Sequence, residues 1–489
     1  MNILLIYPEF PDTFWSFKHA LKFIGKKSAF PPLGLLTVAA LLPSEWSKRV
    51  VDLNVQPLKA KDLEWADYVF ISGMTVQRDS AKKVIAQCNA AKVPVVAGGP
   101  LFTTEHENFS GVDHFVLNEA EITLPQFLQD LQQGAPKALY QTSEFANVGA
   151  TPMPLWGLIN LKKYASMSLQ YSRGCPFKCD FCNVTALFGH RPRIKTSEQV
   201  LAELNQLQHL GWKGKVFFVD DNIIGNKQQL KQELLPALIQ WQKDGGRMPF
   251  YTEASINLAD DAPLMHSMRE AGFDTVFIGI ETAHEESLSE CSKKQNQNRN
   301  LINDIKRIQQ AGLEVQGGFI VGFDSDPISV FERQIEFIQK SGIAVAMVGL
   351  LQAVQGTTLY ERLKKEGRLR GQTSGDNVDG TTNIVTQMNL QTLLAGHKKI
   401  LNSIYLPKNY YNRLKTFLRE YHPPKIRERL NFQHLLAFLR STITLGILGR
   451  ERVHYWKLLL WTCFTRPNLL AQAISLSIFG YHFRRVCNL

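Results

Sequence analysis

The chain has 489 residues, 44% of them hydrophobic, 10% aromatic and 20% charged, which excludes bulk disorder and supplies ample material for buried cores. At about 150 residues per domain the length asks for three domains. The net charge of +11 sits wholly in residues 401–489, where fourteen Lys and Arg face three Glu, so an evenly basic protein is excluded and the tail is either a basic helical face or a surface for a local anionic partner such as phospholipid.

Residues 2–7 form a short apolar run, as a strand buried on both faces would. Similar runs recur at 50–53, 68–72 and 94–97, with helical stretches at 33–43 and 79–92 between them. Such alternation predicts a doubly wound, Rossmann-like sheet, which binds ligands beyond the carboxyl ends of its strands. Two of those ends carry glycines, Ser72-Gly73 and Gly98-Gly99-Pro100, where a ligand can approach the backbone. Residues 140–165 read as a linker. A second series follows, with strands at 167–172, 215–219, 250–254, 275–280, 314–321 and 345–351. Its helices are expected at 196–210, 227–243, 262–272, 297–312 and 328–341. Six βα units are too few for eightfold closure and predict a partial barrel. Beyond about 365 a glycine-punctuated segment leads to a helical, basic, aromatic tail. The fold class is thus α/β, with domains at 1–140, 165–365 and 385–489. The longest uncharged tail segment, residues 467–483, falls short of the roughly 20 apolar residues that span a bilayer, leaving a helix in the interface as the membrane option.

Seven cysteines are too sparse for a disulfide framework, and three fall within eight residues, which reads as metal ligation in a reducing compartment. Residues 1–8 carry no signal-peptide pattern, so the expectation is a cytoplasmic protein. The cysteines stand in Tyr171-Ser-Arg-Gly-Cys175-Pro-Phe-Lys-Cys179-Asp-Phe-Cys182, after a strand. Three thiolates can hold three irons of a four-iron cube and leave the fourth open, whereas a purely electron-transferring cluster usually has four. A zinc site would want a fourth ligand, for which His190 is the candidate. The compact spacing and the aromatic Phe181 favour the cluster.

This motif resembles that of the radical S-adenosylmethionine (SAM) superfamily. The resemblance implies a [4Fe–4S] cluster on Cys175, Cys179 and Cys182 whose open iron binds SAM, and one-electron cleavage of SAM to a carbon-centred radical. It implies further SAM contacts at successive strand ends: Asp220 for the methionine amino group, Glu253, Glu281 toward the ribose, and Gly318 to Gly322 beside adenine. Asp221 and Asn222 are weaker candidates beside Asp220. A doubly wound module ahead of such a core resembles the cobalamin-binding radical SAM class, with corrinoid edge contacts from Ser72, Gly73, Met74, Thr75, Gly98, Gly99 and Glu119. The D-x-H-x-x-G motif of many cobalamin modules is replaced here by Glu9-Phe-Pro-Asp12-Thr, so no protein imidazole is expected on cobalt. His19, His106 and His114 read as ordinary polar residues.

Segments 30–35, 70–78, 211–226, 251–255 and 318–326 are similar to the hopanoid-methylase-like branch, which also carries a C-terminal domain of unknown function. The resemblance implies methyl transfer from SAM, by way of cobalamin, to an unactivated carbon of a hopanoid or other isoprenoid-type lipid. It also implies a low-potential electron donor of flavodoxin or ferredoxin type, and peripheral contact of the tail with the inner face of the membrane through Trp456, Trp461, Phe464, Phe479 and neighbouring Arg and Lys. The alternative left open by the motifs is radical oxidation or cyclisation without methyl transfer. The tail carries no nucleic-acid recognition motif.

Overall fold

A computed structural model describes residues 1–423, 426 and 432–489. Residues 424, 425 and 427–431 of the expected tail domain lie outside the described residues. Six parallel strands make the first sheet: β1 (Asn2–Tyr7), β2 (Ser47–Asp52), β3 (Tyr68–Ser72), β4 (Val95–Gly98), β5 (His114–Val116) and β6 (Leu139–Tyr140), in the order β2-β1-β3-β4-β5-β6. Leu4, Ile6, Val69 and Ile71 face one core together with Val84 and Ile85 of the helix Arg78–Ala90. Ile3, Leu5, Phe70 and Val96 face the other, shared with the helix Leu33–Leu41 and continuous with the rest of the molecule. Burial on both faces is why these strands read as unbroken apolar runs. The short β5 and β6, which carry too little periodic signal to be seen in the sequence, extend the sheet from four strands to six.

A short antiparallel pair, β8 (Ser172–Arg173) with β9 (Arg193–Ile194), brackets the cysteine loop. The second sheet is also all parallel: β7 (Met167–Leu169), β10 (Val216–Phe218), β11 (Phe250–Glu253), β12 (Phe273–Glu281), β13 (Glu314–Val321) and β14 (Ala346–Leu350), ordered β14-β13-β12-β11-β10-β7. The helix expected at 227–243 is interrupted by a π turn at Leu230–Leu234, which ends two residues before Pro236, a residue with no N–H to continue an α ladder.

The barrel is open between β7 and β14, and residues 13–30 fill the gap. Trp15 Nε1 donates to Met347 Sδ on the β14 side at 3.0 Å, while Ala165 and Ser166, just before β7, donate N–H groups to the Ser28 and Ala29 carbonyls at 3.0 Å. The helix Leu470–Val486 packs against this segment, with the Phe483 ring stacked on Phe14 at 4.1 Å.

Helices Leu390–Tyr405, Pro407–Glu420, Phe432–Ser441, Arg452–Thr465 and Leu470–Val486 form the tail. It docks on the barrel through Tyr405 Oη, which donates to the Ala346 carbonyl at 2.7 Å, and His397 Nε2, 2.9 Å from the Val348 carbonyl. Its arginines, expected outside, are divided. Arg413 is 1% exposed and donates to Gln339 and the Ile404 carbonyl; Arg484 is buried in an ion pair with Glu451 at 2.5 Å. Charge alone says nothing about pairing, and a paired Arg can be interior. The aromatics divide too: Phe479 packs on Phe17, whereas Phe464 is 84% exposed. No described helix is long and apolar enough to cross a membrane.

Candidate active site

Gly174 leads into the cysteine loop with φ +94°, and a Cβ there would lie 2.9 Å from the carbonyl oxygens of Phe188, Gly189 and Arg191. Only glycine fits so tight and left-handed an entry. The loop is held by its own backbone, Cys175 N–H donating to the Gly189 carbonyl and Cys182 N–H to that of Cys179. All three cysteines are partly exposed. Two amides aim at them: Asn222 Nδ2 is 3.9 Å from Cys175 Sγ, and Gln295 Nε2 is 3.7 Å from Cys179 Sγ. N–H donors on anionic sulfurs are what a cluster's surroundings supply, so the donor set fits a [4Fe–4S] cube with one open iron. Phe181 packs edge-on to Phe323, under the Lys293 ammonium at 5.8 Å.

Lys293 in turn pairs with Glu281 at 2.5 Å, and Glu281 sits at φ +63°, an uncommon conformation for a residue with a side chain. Asp220, expected to accept from SAM, is turned away from the barrel lumen. Fully buried, it accepts the Tyr171 N–H at 3.1 Å and the Ser172 N–H, pinning the strand that delivers the cysteines. Its neighbour Asp221 faces the lumen instead, in line with Phe217 and Val219, and Glu253 joins it from β11. Burial, reinforced by Asp220, raises the Asp221 carboxyl to about 7; burial, with Asp221 next, raises Glu253 to about 8. Gly318 lies against the Phe277 ring, where a Cβ would be 2.8 Å away, and Gly322 has φ +107° at the end of β13.

A cavity of about 2060 Å³ joins this mouth to the first sheet. Ser72, Gly73, Met74, Gly98 and Gly99 line it from the strand ends; Thr75 does not, and instead lies under Gly375 of the tail-side loop. Glu119 also borders the cavity, but its carboxylate is taken by Arg193 at 2.5 and 2.7 Å, while Glu121 takes Arg173 at 2.7 and 3.1 Å. These four side chains, 3–19% exposed, tie the first sheet to the strands flanking the cysteine loop. Lys293, Gln295 and Arg193 were not singled out in the sequence. Nothing local marks them, since each acquires its partner only through the fold.

Comparison with known proteins agrees with this geometry. Residues 27–128 match a B12 binding domain, residues 169–338 the radical SAM superfamily, and residues 357–489 a domain of unknown function, DUF4070. An uncharacterized methyltransferase of Synechocystis sp. is 38% identical over 99% of this chain and 91% of its own length; the hopanoid C-2 methylase of Rhodopseudomonas palustris is 33% identical over 93% and 88%. Among solved structures, the cobalamin-dependent SAM radical enzyme OxsB shares the fold with TM-score 0.65 at 14% identity over 100% of this chain and 79% of its own. The radical SAM methyltransferase TsrM from Kitasatospora setae gives 0.56 at 15% over 75% of each. Fold and site define a cobalamin-binding radical SAM enzyme. The chain belongs to the cobalamin-dependent radical SAM methyltransferases, in the branch that ends in DUF4070. Its cofactors are a [4Fe–4S] cluster, SAM and cobalamin, and it needs a reductant and a small-molecule substrate.

Proposed function

We propose that this enzyme methylates an unactivated carbon of a hopanoid or related polycyclic isoprenoid lipid. In this reading residues 1–140 hold cobalamin, 165–365 hold the cluster and SAM, and 385–489 meet the lipid. When bound, the cluster supplies one-electron reduction of SAM and cobalamin a carrier for methyl. The protein's part is to position, to exclude water and to bring the substrate in.

The observation that carries the proposal is the continuity of the cavity. It runs from Asp221 and Glu253 down a lumen walled by Trp15, Phe30, Phe217, Tyr251 and Phe277 to Phe432 and Ala437 on the first of two tail helices with apolar outer stripes. Phe432, Leu435 and Leu439 are exposed on one, Trp456, Leu460 and Phe464 on the other, at helical i, i+3 or i, i+4 spacing. Arg450, Arg452 and Lys457 stand at the start of the second of these helices. Apolar stripes with cations beside them suit an anionic membrane surface, from which a lipid could pass into an aromatic lumen of matching character. The electron is proposed to come from a donor of flavodoxin or ferredoxin type.

The test is turnover of the reconstituted enzyme with methyl-deuterated SAM and a hopanoid in vesicles. Label in the lipid supports methylation; 5′-deoxyadenosine formed with an oxidised or cyclised but unlabelled lipid would overturn it. Phe464→Glu with Leu460→Glu is expected to weaken sedimentation with anionic vesicles by at least about 100-fold, since each buried apolar side chain is worth about 1.5–3 kcal/mol. The variant's rate on detergent-dispersed substrate should be retained.

In the same reading Asp221 and Glu253 accept from the SAM ammonium. A cation favours ionised carboxylates, and both acids sit at raised pKa, so SAM affinity is expected to rise with pH through the window of about 7 to 8. Calorimetric titration at pH 6 and pH 8.5 checks this, and Glu253→Gln should flatten the profile and weaken binding at the higher pH.

A further inference from the structure

Asp12, His19 and His482 come together where the two segments that close the barrel meet. Asp12 and His19 flank the turn Phe14–Ser16, and His482 lies on Leu470–Val486. His19 Nε2 is 2.6 Å from Asp12 Oδ2, and one donor atom from each of the three residues lies within 4.8 Å of the other two. His482 is 0% exposed. Its Nε2 is 2.9 Å from the Phe14 carbonyl, and because a carbonyl only accepts, Nε2 carries the proton. Nδ1 is therefore the lone-pair nitrogen, and it is buried with no hydrogen-bond partner. Unmet buried acceptors are rare enough to need a cause.

We propose that Asp12, His19 and His482 bind a divalent cation of the zinc class. Two imidazoles and a carboxylate are a common donor set for zinc, and a ring held by a backbone carbonyl at one nitrogen presents the other to metal in the usual oriented way. Ligand bonds of about 2.0–2.2 Å would set the donors about 3.3 Å apart, so the Asp12–His19 contact opens by less than an ångström. Asp12 is 45% and His19 22% exposed, so both can adjust, and the fourth position is left to water. None of the cluster cysteines or lumen carboxylates belongs to this group. Its role is a cross-link between residues 12–19 and the helix 470–486, fixing the closure of the lumen.

The test uses full-length enzyme with its cluster reconstituted, so that the cysteines are occupied, and stripped of loosely held metal. Zn²⁺ is titrated against a chromophoric chelator, and the melting temperature is followed with and without Zn²⁺. The expected result is one tightly held Zn²⁺ per chain that raises the melting temperature. His19→Ala and Asp12→Asn, both on the exposed side, should weaken it by at least about 100-fold while iron content stays at the wild-type value. The absence of stoichiometric Zn²⁺, or a Zn²⁺ held equally by His19→Ala, would overturn the site.

Discussion

Cys182→Ala is expected to yield a folded protein that retains cobalamin and cleaves no SAM. The loop owes its shape to backbone bonds and to Gly174, not to the thiols, so a Cys-to-Ala change removes a ligand without removing the scaffold. Two remaining thiolates cannot hold a four-iron cube in place, and no side chain can substitute for a radical generator. The rate should fall to background, a loss of at least about 10⁶-fold on the usual scale of enzymatic acceleration. Iron and sulfide analysis, with 5′-deoxyadenosine formation as the activity readout, checks it. Gly174→Ala gives the complementary case: the thiols remain, but a Cβ 2.9 Å from three carbonyl oxygens at φ +94° forces the loop entry to move, so iron content should drop with all three cysteines present.

The second large effect is expected at the tie between the two sheets. Glu119→Ala strands the Arg193 guanidinium in the interior with only the Ala146 and Phe188 carbonyls as acceptors, and removes the acceptor of the Ala146 N–H. Breaking one half of a buried pair costs about 3–5 kcal/mol, because the remaining charge is uncompensated. At about 2–4 °C per kcal/mol for domains of this size, the melting temperature should fall by roughly 10 °C. Removing both partners, Glu119→Leu with Arg193→Met, should recover most of the loss, which scanning calorimetry can resolve. An unchanged melting temperature in the single variant would mean that the pair does not hold the sheets together. Cobalamin retention should fall with Glu119→Ala as well, since Glu119 borders the cavity.

How far the sequence discloses this enzyme depends on how local each property is. The cysteine motif is local, because spacing alone brings three thiols to one loop, and so it was legible. The six barrel strands were legible from short β-prone runs set between helical stretches. The pair Asp220 and Asp221 shows where legibility ends and where it could have gone further. Strand parity puts Phe217, Val219 and Asp221 on the lumen side and leaves Asp220 on the other, a period-2 signal present in the residues themselves. Glu119 offers no such signal. Whether it meets a ligand or Arg193 depends on how two sheets dock, 74 residues apart in the chain. Arg413 and Arg484 likewise look like surface cations until Gln339 and Glu451 are placed beside them.

The closure of the barrel by residues 13–30 and by the helix Leu470–Val486 has a consequence for biosynthesis. Residues 13–30 precede all but the first strand of the two sheets, while their partner follows every strand. Domains generally fold as they emerge. During synthesis the lumen therefore lacks the part of its wall that Ser475, Ile478 and Phe479 supply until that helix is made. Access for cofactors from that side is expected to narrow when the helix Leu470–Val486 docks. Moving the coding segment for that helix to the front of the gene would reverse the order, and cofactors would then have to enter through the finished mouth.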